Sequence, residues 1–281
     1  MSWMIYASLA AVFFGIRGVF YLKTAAMGLD RNQLLFGIFT SGMILSFVGA
    51  LFTGQQWTVQ TLIGLLMGIC STVANASILH GFRVGKPSLV AILTSLPPAV
   101  VIIVAYLIWR ETLTFPQLIA FVIIILGILF IRYSNELKAG QWQGAQWGAL
   151  AMVAFGFNDI FSKMSTRMGA DVFPTLFFMF AIGTVYFGLL VWRHYRGQSP
   201  TRSLVSSITI GLGIGITNWL GMIFIVAAFA IGITSLVSAI TSMSVLIILF
   251  YSRFFQHERF KPVEIIGIAT ALVGVILLQL F

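Results

Sequence analysis

Two residues in this 281-residue chain stand where ionisable side chains are expensive: Arg17 and Asp159. Both interrupt long apolar stretches, in Gly15-Ile16-Arg17-Gly18 and Gly156-Phe157-Asn158-Asp159. A charge in such surroundings is a functional-site hypothesis by default. Asp159 fits a cavity carboxylate that binds a cationic group, or takes up and releases a proton. The alternative is contact with interfacial water, or a pair with Lys163, four residues on along one helix face. Arg17 fits a guanidinium that holds a carboxylate or phosphate. Its alternative is snorkelling to lipid headgroups. Asn75, Asn158 and Asn218-Trp219 place further polar groups in apolar runs. They can read a solute, or bond across helices at about 0.6 kcal/mol apiece.

A second group is the run Thr94-Ser95-Leu96-Pro97-Pro98 and the similar run Thr241-Ser242-Met243-Ser244. Proline removes a backbone donor and clashes with the carbonyl four residues back. Pro97 and Pro98 therefore mark an expected hinge, with freed carbonyls near Leu93 and Thr94 turned to solute or water. The alternative is a kink re-satisfied by Ser and Thr side chains. The flanking Phe13, Phe14, Phe155 and Phe157 read as lipid contact or packing before an aromatic platform.

Other chemistries lack their residues. The three histidines, His80, His194 and His257, lie far apart, and no His-Glu-x-x-His occurs. One cysteine, Cys70, builds no disulfide framework. A phosphate loop needs a preceding strand. No enzyme, no metal and no cofactor is expected. The 16 Lys and Arg against 7 Asp and Glu fit basic loops at a membrane better than a nucleic-acid surface, so no nucleic-acid partner is expected.

The elements that position these residues must be membrane helices. The chain is 59% apolar and 8% charged, with mean hydropathy +1.03. A soluble domain carries about 25% charged residues, so this chain cannot cover a water-facing surface. Spans of about 20 apolar residues read at 3–21, 34–53, 59–80, 86–108, 115–133, 144–165, 173–193, 206–229, 233–254 and 262–280. Continuous apolar runs such as 121–131 exclude the alternation of a β-barrel. The weakest break is at Gly232, where Phe229 to Thr234 holds no charge.

The chain also repeats itself. Gly85 to Ser95 falls on Gly232 to Ser242, 147 residues on, with six of eleven positions identical. Gly64, Gly68, Glu111 and Gly127 then meet Gly211, Gly215, Glu258 and Gly274. At a shift of 141, Gly15, Met27-Gly28 and Asp30 meet Gly156, Met168-Gly169 and Asp171. The expected fold is an all-α membrane protein of ten transmembrane helices in two five-helix repeats, 1–135 and 144–281, joined by a linker at 136–143. Five crossings place the second repeat upside down relative to the first. Inverted repeats with a site between the halves are secondary-transporter architecture. The glycines at 64, 68, 211, 213 and 215 read as close helix contacts.

Two five-helix halves with the Gly-x-x-Ser-Leu-Val…Thr-Ser run (85–95, 232–242) and the turns Arg110-Glu111 and His257-Glu258 resemble the EamA-type branch of the drug/metabolite transporter superfamily. The resemblance implies a central cavity lined by the first, third, fourth, sixth, eighth and ninth spans, with the fifth and tenth outside. It implies amino acids, metabolites, nucleotide-sugars or toxic compounds as cargo.

Twelve of the 16 basic residues fall in loops opposite the termini, and three (Arg110, Lys163, Arg167) on the termini's face. The positive-inside rule then places both termini outside the cell membrane. The resulting expectation is a secondary transporter of a small, amino-acid-like or other organic solute. The two five-helix bundles rock about the site, with membrane lipids around them and protons as coupling ion. A lipid flippase or a non-transporting membrane partner is the alternative.

Overall fold

The computed structural model describes residues 2–84, 90, 93–133, 144–196, 202–255 and 262–280. The 136–143 linker, the Gly85–Leu89 segment and the His257-Glu258 turn lie outside them. Among the described residues there are helices and turns and no strand.

Among the described residues, eleven α-helices follow one another: α1 (Ser2–Ala26), α2 (Arg31–Thr53), α3 (Ile63–Val84), α4 (Pro97–Trp109), α5 (Phe115–Tyr133), α6 (Ala145–Arg167), α7 (Val172–Tyr195), α8 (Arg202–Ile231), α9 (Thr234–Ser242), α10 (Ser244–Phe255) and α11 (Pro262–Leu280). Five of them (α1, α2, α3, α7 and α8) are long and apolar enough to cross a membrane by themselves. Shorter apolar runs lie at 97–109, 115–127, 234–248 and 265–274. Large apolar side chains such as Leu51, Phe52, Leu107, Leu189 and Ile276 are exposed. Such a surface belongs in lipid, and the chain is a multi-pass membrane protein.

The local reasons for these boundaries are visible. Asp30 caps α2 by accepting from the Asn32 and Gln33 amides at 2.9 and 3.0 Å. Gly54 closes the helix at φ 65°, a left-handed turn that glycine adopts freely. Asp171, the repeat-mate of Asp30, instead accepts from the Gln56 amide at 2.6 Å, tying two loops together.

The fourth span is interrupted at the Thr94–Pro98 run, and the interruption is a new helix start instead of the kink that stood as the alternative. Leu96 caps a new helix, and Pro97 and Pro98 occupy its first turn, where proline costs no hydrogen bond. The ninth span breaks at the corresponding Met243 without any proline. The two breaks share one bonding pattern. Leu96 N–H donates to Leu93 and Met243 N–H to Ile240, at 3.1 and 3.0 Å; Ala99 N–H donates to Leu96 and Leu246 N–H to Met243, at 3.1 and 2.8 Å. The break is therefore a property of the repeat, and the Leu93 carbonyl is already satisfied.

The pairing of the two repeats shows in the packing. An added Cβ at Gly68 would stand 2.6 Å from the Met179 carbonyl oxygen, and one at Gly215 would stand 2.5 Å from that of Ile38. Gly68 and Gly215 are repeat-mates, as are Ile38 and Met179. The contact of α3 on α7 is thus the image of α8 on α2. Gly64 against Thr175 and Gly211 against Leu34 repeat it one turn away. Gly213 faces open space and corrects the sequence reading, which made it a contact residue. Gly68→Ala should lower stability by about 1–3 kcal/mol, the cost of overpacking against rigid backbone. Gly213→Ala should leave it unchanged or raise it by at most about 1 kcal/mol through helix propensity. Thermal unfolding in detergent compares the two.

The repeats are interleaved. Helix α1 packs on α8, α9 and α10, and α2 on α8; α3 packs on α6 and α7, and α4 on α6. Each resulting bundle takes helices from both halves. The bundles meet where α2 crosses α7 and where α4 crosses α9, while α5 pairs with α11 outside. The five-helix repeats are thus not the separate bodies expected from sequence. Their apolar faces are buried against each other: Phe39 of α2 packs on Phe180 and Phe187 of α7, ring centroids 6.0 and 5.7 Å apart, all three fully buried.

Candidate functional site

A cavity of about 100 Å³ lies where the bundles face each other. Its walls come from α1 (Phe14, Arg17), α3 (Ser71), the break before α4 (Thr94, Pro97) and α6 (Phe155, Asn158, Asp159). Helix α8 adds Asn218, and α9 and α10 add Ser238, Thr241, Ser242 and Ser244. These are parts of the first, third, fourth, sixth, eighth and ninth spans.

Arg17 and Asp159 share this cavity without pairing. Arg17 Nη1 donates to Asn218 Oδ1 at 2.5 Å. Its guanidinium lies 4.7 Å from the Phe14 ring centroid and 5.6 Å from that of Tyr21, a cation–π sandwich that fixes its direction. Its Nε is buried with no partner among the described residues. Asp159 Oδ2 accepts from Ser238 Oγ at 2.6 Å, the short distance of a bond to a carboxylate. Beside it, Asn158 is 5% exposed and its Oδ1 has no partner among the described residues. A buried polar atom without a partner costs about 1–3 kcal/mol, which a polar solute would recover. The wall thus offers a cation, an anion and open hydrogen-bonding positions.

Lys163, the alternative partner for Asp159, is engaged elsewhere. Lys163 Nζ donates to the carbonyls of Phe229 and Gly232 at 2.6 and 2.8 Å, closing the C-terminal end of α8. The charge-free break at Gly232 draws its charges from distant chain.

Of the residues singled out in sequence, Arg17, Thr94, Pro97, Asn158, Asp159, Asn218, Thr241 and Ser242 come together on this wall. Asn75 stands behind it: its Oδ1 accepts from Tyr21 Oη at 3.1 Å, and its Nδ2 donates to the Ser71 carbonyl at 2.8 Å. Trp219 turns away, donating to Ser46 Oγ at 3.0 Å and stacking on Phe173. Ser95 and Pro98 are buried off the wall. Phe14 and Phe155 line it, whereas Phe13 stacks on Phe224. Ser71, Ser238 and Tyr21 are the residues sequence reading missed. For Ser238 a signal existed, since Thr234, Ser238 and Thr241 repeat at helical spacing in an otherwise apolar run. Among the described residues no three His, Cys, Asp or Glu side chains come close enough to hold a metal ion.

Inverted repeats, a broken helix from each, and a buried polar cavity between them define a transporter-like membrane protein. The chain belongs to the EamA-like transporter family, whose family model matches residues 1–133 and 142–280. It is also 30% identical over 135 residues to an uncharacterized protein of Methanocaldococcus jannaschii, covering 45% of this chain and 93% of that one. That relative is about the length of one repeat. A solved crystal structure is 14% identical, covers 100% of this chain and 99% of its own, and superposes with a TM-score of 0.77. This likeness concerns the fold alone.

Proposed function

We propose that the protein is a secondary transporter of a small organic solute, working by alternating access across ten transmembrane crossings. The observation that carries this is the cavity itself. It sits between two mixed bundles and presents Arg17 and Asp159, each bonded, among the described residues, only to a neutral partner. The chemistry fits a zwitterion: an anionic group at Arg17 and Asn218, a cationic group at Asp159 and Asn158. Asp159 also serves as proton carrier.

The size of the cavity supports movement. At about 100 Å³ it holds roughly three waters at about 30 Å³ each. Pockets for drug-sized solutes measure about 300–1,000 Å³. The small size of the cavity fits a site that widens when the bundles part. The moving bodies are the bundle of α1, α2, α8, α9 and α10 and the bundle of α3, α4, α6 and α7. The α2–α7 crossing, packed backbone to side chain, is the pivot.

The chain catalyses no reaction in this reading. It sits in the cell membrane with both termini outside. A C-terminal alkaline phosphatase fusion should be active and a C-terminal fluorescent-protein fusion dark; the reverse pattern overturns the orientation. Transport itself is tested in proteoliposomes, by exchange of labelled amino acids and other small zwitterions. Saturable exchange supports the reading. Exchange no faster than in empty liposomes, across all solute classes and with folded protein, overturns it.

A further inference from the structure

One ten-residue segment, Phe229 to Ser238, carries an unusual number of ionic contacts from the opposite bundle. Glu111, in the loop after α4, accepts from the Thr234 amide at 3.0 Å and from Thr234 Oγ1 at 3.1 Å. It therefore caps the first turn of α9 from outside that helix's own repeat. Lys163 of α6 holds the carbonyls of Phe229 and Gly232 just before it. Asp159, four residues earlier on α6, holds Ser238, four residues along α9 from Thr234. Arg167, four residues beyond Lys163, pairs with Glu111 at 3.1 Å.

Glu111 is placed for this by its neighbour. Arg110 ends α4 at φ 54°, among the described residues the one non-glycine with a positive φ. That left-handed turn takes the chain sharply off the helix, and Glu111 follows it. The side chain of Glu111 is 14% exposed, against 47% for Arg167. Its two oxygens are committed inward to α9, and the ion pair with Arg167 is an outer addition. The contacts lie toward the N-terminal face, since Gly232 packs beside Trp3. Along α6 the step from Asp159 to Arg167 is about 12 Å at 1.5 Å per residue.

We propose that Glu111 is a gate residue: it shuts the cavity on the N-terminal face by fastening the start of α9 to the α4/α6 bundle. It is a positioning residue, touching no solute. Helix α9 joins this latch to the cavity, because its fully buried turns carry Thr234 at the latch and Ser238 at Asp159. A solute that competes with Ser238 for Asp159 loosens one of the two holds on α9 and leaves Glu111 as the other. The proposal rests on the alternating-access reading, but its test requires no solute.

The test uses the full chain in oriented membrane vesicles, with Cys70→Ala removing the native thiol and Ser244→Cys placing one on the cavity wall. A membrane-impermeant maleimide is applied from each face in turn. Glu111→Gln should speed labelling from the N-terminal face about tenfold, the worth of one charge-assisted hydrogen bond, and slow or leave unchanged labelling from the other face. Arg167→Gln should change labelling less than about threefold, as an exposed ion pair does. Should Glu111→Gln fail to reach the membrane, Thr234→Ala severs the hydroxyl contact from the other side and should also speed labelling from the N-terminal face. Equal rates in wild type and variants overturn the gate, and so does an equal increase from both faces. Failed solute exchange with this asymmetry intact would condemn the transport reading alone.

Discussion

Asp159→Asn should cut solute exchange about 10- to 100-fold while leaving thermal stability unchanged or slightly raised. Asparagine keeps the size of the side chain and can still accept from Ser238 Oγ, now 2.6 Å from Oδ2. The charge is what disappears. A hydrogen bond to a charged group is worth about 1.5–3 kcal/mol, and each 1.4 kcal/mol is tenfold. Stability moves the other way because a buried carboxylate bonded to a neutral hydroxyl has no ionic partner to offset its desolvation. Loss of function with retained stability is the mark of a working residue. The same variant decides the proton role. If Asp159 carries the coupling proton, the residual exchange of Asp159→Asn no longer follows pH as the wild type does. A wild-type pH profile in the variant removes that role.

Arg17 should show an equally large effect with a different pattern. Arg17→Gln loses the charge, the bond to Asn218 and the stacking on Phe14 and Tyr21. Exchange should fall by about 10- to 100-fold on the same accounting. Arg17→Lys is the sharper variant. Lysine keeps the charge but lacks the planar fork and the ring stacking. A solute-binding Arg17 predicts that Arg17→Lys recovers only a small part of the loss. An arginine that merely snorkels to headgroups predicts full recovery, because lysine snorkels as well. Exchange and thermal unfolding measured together separate these outcomes.

Much of this was legible in the sequence. The duplicated Gly64/Gly211 and Gly68/Gly215 pairs announced close helix contacts, and the contacts are there. Arg17 and Asp159 read as candidate cavity residues, each with a membrane-interface alternative, and both line the cavity. These signals are readable because membrane helices impose a strict pattern, so each polar or small residue departs from a uniform background.

What was hidden depends on long-range pairing. Lys163 finds carbonyls 66 and 69 residues away, and Glu111 finds Thr234 at a separation of 123. Nothing local to Gly232 marks it as a charged junction, because its charges come from α6 and from the loop after α4. The interleaving of the repeats is equally silent, since periodicity identifies a buried face and not what buries it. Proline was misleading for a related reason. Pro97 and Pro98 look like the cause of a break, yet Met243 breaks its span with the same hydrogen bonds and no proline. Tyr21 escaped notice because an aromatic near a helix end reads as interfacial. Here it holds Asn75 and flanks Arg17.

The central claim is that the cavity between the bundles binds the transported solute. A thermal-shift screen of purified protein tests it most directly, using amino acids, nucleosides, sugars and cationic drugs against wild type, Asp159→Asn and Arg17→Gln. A ligand stabilises the folded state by RT ln(1 + [L]/Kd), so even millimolar binding registers at high concentration. The account predicts that a zwitterionic class stabilises the wild type, and that this stabilisation is lost in both variants. A solute that stabilises all three proteins equally binds elsewhere and would contradict it.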